Sequence, residues 1–161
     1  MTTYLQSLVA LVARVLLSQI FIISGINHLL KWGGTIQYMT DKGMAMDSIL
    51  GRSGVVFVHI MLAGAVTFLL VGGLSVLLGI RARGGALLLI LFLIPVTLIF
   101  HDFWRCKTDA DRMMQTINFM KNTGLGGGLM MVLAFGSGAL SLNWLLPKRR
   151  AAVAPAASEQ K

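Results

Sequence analysis

Charge is scarce in this chain. Of its 161 residues 12% are Asp, Glu, Lys or Arg, and six are acidic, against about a quarter charged in ordinary soluble domains. That shortage excludes a free-standing soluble globule. One cysteine, Cys106, is present, so an intrachain disulfide is excluded. With no second thiol and no assigned base, Cys106 reads as a bystander. There is no GKS or GKT phosphate loop, no HExxH, no Ser-His-Asp pattern and no pair of catalytic carboxylates. Soluble-type hydrolysis and phosphate-loop chemistry therefore have no support.

What is abundant is apolar: 56% of the residues are hydrophobic, and they fall in runs too long for a soluble core. Leu, Val, Ile, Ala, Met and Gly dominate, a composition suited to helices in lipid. The formal net charge of +8 could be misread as a nucleic-acid signal. Its Lys and Arg residues sit mainly between and at the ends of the apolar runs, where phospholipid headgroups lie. No basic run is interleaved with stacking aromatics, so no nucleic-acid partner is expected. Residues 1–13 carry no positive charge and no small-residue cleavage site follows the first run, so the first helix is expected to remain as an anchor rather than leave as a signal peptide.

The runs predict an all-α fold, a bundle of four transmembrane helices at about 4–30, 54–80, 84–100 and 123–146, within one domain over 1–147. Arg14 interrupts the first. The stretch Val15–Ile26 is free of charge but has twelve residues, too few for about 30 Å of hydrocarbon. The span must therefore include residues before Arg14, whose guanidinium either snorkels to the headgroups or pairs inside the bundle. The polar stretch Lys31–Arg52 holds a Gly33-Gly34 break, Arg81-Ala82-Arg83 forms a tight turn, and Pro95 is expected to kink the third span. A surface helix is expected around Asp109–Met120. Pro147 and Lys148-Arg149-Arg150 stop the fourth span, and 148–161 reads as a cytoplasmic, disordered tail. Glycines at 72, 73, 79, 124 and 126–128 read as helix-packing contacts.

An even number of crossings puts both termini and the Arg81–Arg83 turn on one side and the two long loops on the other. Seven Lys and Arg residues fall on each side, so the count does not settle orientation. The compact Arg81–Arg83 and Lys148–Arg150 groups favour termini in the cytoplasm.

This topology gathers scattered polar residues at the loop-side end. Asn27 and His28 close the first span, His59 lies about 8 Å inside the second, His101 and Asp102 end the third, and Lys121 and Asn122 begin the fourth. The functional reading is a polar pocket formed by His28, His59, His101 and Asp102, with Arg14, Asn27, Lys121 and Asn122 as contacts for a quinone or lipid headgroup. The plainer reading is a set of interfacial residues satisfied by water. His59 carries the most weight, because an ionisable group within a span is usually functional or paired. Haem needs two histidines at equal depth, which His59 does not offer. Met39, Met44, Met46, Met113, Met114 and Met120 lie near the loop face and with Cys106 could supply soft ligands for copper, but Met is also an ordinary flexible apolar residue. Haem and copper are thus disfavoured, and no metal site is assigned. Trp32, Trp104 and Trp144 read as interfacial anchors.

Several ordered elements resemble the DoxX family of small bacterial four-helix membrane proteins. They are Arg14, then Ser24-Gly25-Ile26-Asn27-His28-Leu29, Gly72-Gly73 leading to Leu78-Gly79-Ile80-Arg81, Phe100-His101-Asp102-Phe103-Trp104, and Asn118-Phe119-Met120-Lys121-Asn122 running into Gly126-Gly127-Gly128. His28 stands where many members carry Lys. The family is named for a subunit associated with thiosulfate:quinone oxidoreductase and terminal quinol oxidase. The resemblance therefore implies a multi-pass protein of the bacterial inner membrane linked to membrane redox or sulfur metabolism.

The leading expectation is an accessory subunit of a quinone-linked redox system rather than a stand-alone enzyme. In a catalytic version His101 and Asp102 would relay a proton beside a quinone carbonyl, with Lys121 or Arg14 offsetting charge. The alternative is a non-catalytic structural or assembly subunit, with small-solute transport further behind. Expected partners are membrane lipids, other membrane-protein subunits and a second copy of the chain.

Overall fold

A computed structural model describes residues 3–44, 53–138 and 140–142. Its described residues form helices and turns with no strand. The helices are α1 (Thr3–Leu30), α2 (Trp32–Asp41), α3 (Ser53–Leu78), α4 (Ala82–Phe100) and α5 (Asp109–Phe135), with a 3-10 turn at Phe103–Arg105. α1 packs on α3, α3 on α4 and α4 on α5, while α1 and α5 touch only slightly. The four long helices therefore make an all-α bundle that closes loosely between its first and last members.

α1, α3 and the stretch Ala82–Arg105 are each long and apolar enough to cross a membrane. α5 is as long, but its first half is polar. Three contacts fix its depth beside α4: His101 with Gln115 at 2.8 Å, Thr97 with Asn122 at 3.1 Å, and Arg83 with Ala134 O at 3.2 Å. α5 thus runs antiparallel to α4 from one end to the other, and at about 1.5 Å per residue it covers the same depth.

Two differences from the expected spans have identifiable causes. The first is that α5 begins at Asp109 and stops at Phe135, so the expected surface helix and fourth span are one continuous helix. Thr108 caps its start, accepting from Asp111 N at 3.1 Å, and Asp109 and Asp111 occupy the first turn, where acids complement the helix dipole. Gly136 ends it at φ 80°, donating to Val132 O at 2.8 Å. Hydropathy sees neither signal. The second is that α2 occupies what read as a polar stretch with a glycine break. Gly33 and Gly34 are accommodated within it, and Met39 buries against Val58, Leu62 and Val66 of α3. The stop at Pro147, the tail 148–161, Trp144 and Met46 lie outside the described residues.

The glycines also divide differently. α3 and α4 cross at Gly72 and Gly85, where a Cβ on Gly85 would sit 2.8 Å from Gly72 O. Gly73 lies against Ile22 and Gly25 against Leu70, so these positions let α1 approach α3. In the run expected to pack, Gly124 and Gly127 face outward with nothing within 4 Å, Gly126 meets Leu93 at 3.7 Å and Gly128 meets Leu17 at 3.3 Å. Gly124 and Gly127 make no packing contact within the described chain, because α5's inward stripe runs through Gln115, Asn122, Leu125, Leu129 and Val132 instead.

Arg14 is 3% exposed, buried at the end of the bundle where α3 finishes. It donates through Nη1 to Leu77 O at 3.5 Å and through Nη2 to Leu140 O. Of the two options open in the sequence, pairing inside the bundle is the one adopted. The guanidinium ties α1 to the end of α3 and to the chain beyond α5. A side chain on Gly79, which has φ +70°, would run into Arg14 and Ser141.

Candidate functional site: a cavity between the helices

Two apolar clusters build the bundle. One joins Phe21, Leu69, Leu89, Leu93 and Leu129; the other joins Met39, Val58, Leu62 and Val66. Between them lies a cavity of about 570 Å³ with walls from both, including Phe21, Leu62, Phe68, Leu69, Phe92 and Leu93. That size falls within the roughly 300–1,000 Å³ of ordinary small-molecule sites. Its polar groups, Ser24, His28, Thr35, Tyr38, His101, Lys121 and Asn122, gather towards the end where α1 and α4 finish. Gly64 on α3 and Leu91, Pro95 and Ile99 on α4 line the cavity and are exposed, so the cavity is not sealed between those two helices. Pro95 has no N–H, so the Leu91 carbonyl loses its helical donor there.

The polar groups other than Ser24 have definite settings. His28 Nδ1 lies 3.3 Å from Thr35 Oγ1, whose own proton goes to Lys31 O at 3.0 Å. His101 Nδ1 lies 2.8 Å from Gln115 Oε1. Asn122, buried, donates through Nδ2 to Thr97 Oγ1 at 3.1 Å. Lys121 is exposed at the rim and donates to Asn118 Oδ1 at 3.1 Å. Tyr38 stacks on Phe100 with ring centres 5.6 Å apart.

The cavity gathers some of the sequence-derived candidates and leaves others out. His28, His101, Lys121 and Asn122 line it. His59 does not: it faces outward on α3, with Nδ1 2.8 Å from Val55 O and its ring 6.3 Å from that of Trp32. Asp102 does not line it either, pairing with Lys42 at 3.3 Å rather than with His101. Asn27 is exposed, and Arg14 sits at the opposite end of the bundle. Met39, Met44 and Met61 line the cavity, whereas Met113, Met114 and Met120 point outward. Among the described residues no three His, Cys, Asp or Glu side chains come close enough to hold a metal ion.

Three site residues were not singled out from the sequence. Gln115 carried a signal, since it stands seven residues before Asn122 and so shares its helix face. Thr35 and Tyr38 carried none, because they reach the cavity through the unexpected helix α2.

The 3-10 turn explains why two of the quoted motifs are spaced as they are. Phe103, Trp104 and Phe119 meet edge to face with ring centres 5.0–6.1 Å apart. The His-Asp-Phe-Trp turn is thereby clasped to α5, which holds Gln115 opposite His101.

The DoxX family profile matches residues 9–102 of this chain. The chain belongs to the DoxX family. The matched stretch runs from α1 to the end of α4, and the Asn118–Gly128 motif lies beyond it. Two relatives extend the likeness across α5. The inner membrane protein YphA of Escherichia coli (strain K12) is 31% identical over 135 residues, covering 83% of this chain and 86% of that protein. The inner membrane protein YqjF of the same organism is 28% identical over 145 residues, covering 90% of this chain and 97% of that protein. No solved structure matches. The chain is a DoxX-family integral membrane protein.

Proposed function

We propose that this chain is an accessory subunit of a quinone-linked redox system in the bacterial inner membrane, holding a quinone ring in the cavity between its helices. The observation that carries the reading is the cavity itself: about 570 Å³, apolar along its walls, polar at one end and not sealed between the helices. An isoprenoid quinone has that same distribution, a polar ring on an apolar tail. The ring would lie against His28 and His101, with the tail leaving past Leu91 and Pro95. The inner-membrane address rests on the two relatives, both named for that membrane. Cytoplasmic termini place Arg81 and Arg83 on the inner face.

His101, not Asp102, is the residue that would take up a proton, since Asp102 is engaged by Lys42. Replacing His101 with Leu in the intact assembly should lower quinone-linked turnover, whereas Asp102→Asn should leave it close to normal. Unchanged turnover in His101→Leu removes the catalytic version of the proposal.

One observation favours a second reading, a non-catalytic assembly subunit. Gly124 and Gly127 lie on the outer face of α5 with nothing within 4 Å, and small residues let a neighbouring membrane helix approach closely. If turnover of the complex survives His101→Leu but the complex falls apart in Gly124→Leu, that reading replaces the first.

A further inference from the structure

Arg14 is a buried cation with no counter-ion among the described residues. Its guanidinium reaches two backbone carbonyls, Leu77 O and Leu140 O, and its Nε is buried with no hydrogen-bond partner among those residues. Carbonyl dipoles offset part of a buried charge, and the remainder calls for an anion nearby. The described acids cannot supply it. Asp41 ends α2 beside the Lys42–Asp102 pair, and Asp109 and Asp111 begin α5, so all of them stand at the opposite end of the bundle.

More positive charge stands at Arg14's own end. Arg81 and Arg83, both exposed, flank the turn between α3 and α4, and with Ala82, Gly84, Gly136 and Ser137 they line a second cavity of about 270 Å³. Ser137 links this cavity to Arg14, because a side chain on Gly79 would meet both Arg14 and, at 3.1 Å, Ser137 Cβ. The turn is held in place: Arg81 O accepts from Gly84 N at 2.8 Å, and Ser75 Oγ donates to Ile80 O at 2.6 Å. Arg83 gives one proton to Ala134 O at 3.2 Å, and its Nε lies 3.6 Å from where a Cβ on Gly136 would stand. The Arg81 guanidinium has no partner among the described residues. α4 also begins here, and its first turn carries the positive end of the helix dipole.

Arg14, Arg81 and Arg83 thus gather where the helices end, at the depth of lipid headgroups, with no described negative charge among them. We infer that this end of the bundle holds a phosphate group, bound by Arg81, Arg83 and Ser137, as the counter-ion that Arg14 lacks within the described chain. Guanidinium forks match phosphate oxygens in geometry as well as in charge, and the Ser137 hydroxyl adds a neutral donor. An anionic phospholipid and the free ion in water present the same oxygens, so either source meets this chemistry. The site lies at the other end of the bundle from His28 and His101, and it stands whether or not their cavity takes a quinone.

The test uses the full chain, delipidated in a neutral detergent, with three probes: dioleoylphosphatidylglycerol, dioleoylphosphatidylcholine and inorganic phosphate. Native mass spectrometry counts retained lipid, and thermal melting reads stabilisation by lipid and ion alike. Phosphatidylglycerol should be retained about 10-fold more tightly than phosphatidylcholine and should raise the melting temperature. The double variant Arg81→Gln/Arg83→Gln should lose about 10-fold in that affinity. Arg105→Gln/Arg112→Gln removes two exposed arginines at the opposite end and should change neither reading. Stabilisation by phosphatidylglycerol but not by inorganic phosphate assigns the site to lipid; stabilisation by inorganic phosphate that the Arg81/Arg83 variant abolishes keeps the site and assigns it to the free ion. Arg14→Leu, without the charge to be balanced, should gain less stability from the effective probe, and an equal gain overturns the counter-ion assignment. Equal retention of the two lipids with no effect of inorganic phosphate, or equal losses in the two double variants, overturns the inference, since general attraction to a basic protein would then explain the binding. No response to any probe overturns it as well. The quinone reading survives each of these outcomes, so the failure of one is distinct from the failure of the other.

Discussion

Alanine at Gly85 and alanine at Gly124 should move stability in opposite directions. At Gly85 a Cβ would sit 2.6 Å from Ser75 Cβ and 2.8 Å from Gly72 O, the latter part of a backbone that cannot rotate away. Restoring an ordinary contact of at least 3.4 Å to Ser75 Cβ requires α3 and α4 to part by about 0.8 Å along their crossing. Overpacking of that kind typically destabilises by about 1–3 kcal/mol. At Gly124 nothing lies within 4 Å, and the only change is the higher helix propensity of Ala, at most about 1 kcal/mol in favour. The difference between the variants is therefore about 1–4 kcal/mol. Unfolding each in mixed micelles by raising the mole fraction of dodecyl sulfate, followed by circular dichroism, reads it directly. Equal shifts, or a larger loss at Gly124, would refute the assignment of Gly72 and Gly85 as the crossing point. Repeating the measurement in native membranes adds information, since harm from Gly124→Ala confined to that setting would place a partner helix on that face.

Further expectations concern single contacts. Arg14→Leu removes the bonds to Leu77 O and Leu140 O and should make the chain after Phe135 open to protease while the helical signal is retained; unchanged digestion would contradict the tie. Asn122→Leu leaves Thr97 without its buried partner and should destabilise by about 0.5–1.5 kcal/mol in micelles, whereas no loss would mean that the contact contributes nothing net. The Lys42–Asp102 pair is partly solvated, with side chains 30% and 14% exposed. Asp102→Asn should therefore lower the midpoint only slightly, by an amount that fades in high salt. Reporter tags at Met1 and Lys161 should both read as cytoplasmic, and a tag inserted between 45 and 52 as periplasmic; tags at the termini in opposite compartments would break the four-crossing topology.

The sequence reveals the bundle because lipid is a harsh solvent for backbone polar groups, and long apolar runs leave little choice of structure. The loop-side gathering of His28, His101, Lys121 and Asn122 follows from the same counting of crossings. Hydropathy becomes a poor guide where a helix faces protein rather than lipid. α5 carries Gln115, Asn118 and Asn122 on its inner side, so its first half reads as a loop although it runs beside α4. The weight given to His59 is a case of depth mistaken for direction, since the span count says how deep the residue lies but not which way it faces. The glycine run at 124–128 shows the same limit: Gly126 and Gly128 pack within the bundle while Gly124 and Gly127 face outward, and rotation about the helix axis, not composition, decides which. Arg14 could be placed only as a choice between lipid headgroups and the bundle, because its partners are backbone carbonyls 63 and 126 positions away.

The measurement that bears most directly on the account is photolabelling of native membranes with a quinone analogue carrying a photoreactive group on its ring, followed by mapping of the labelled residues. The account predicts saturable labelling at Phe68, Phe92 and the residues around His101, displaced by excess short-tailed quinol. Labelling confined to the outer faces of the helices, or labelling that competitor does not displace, would contradict it.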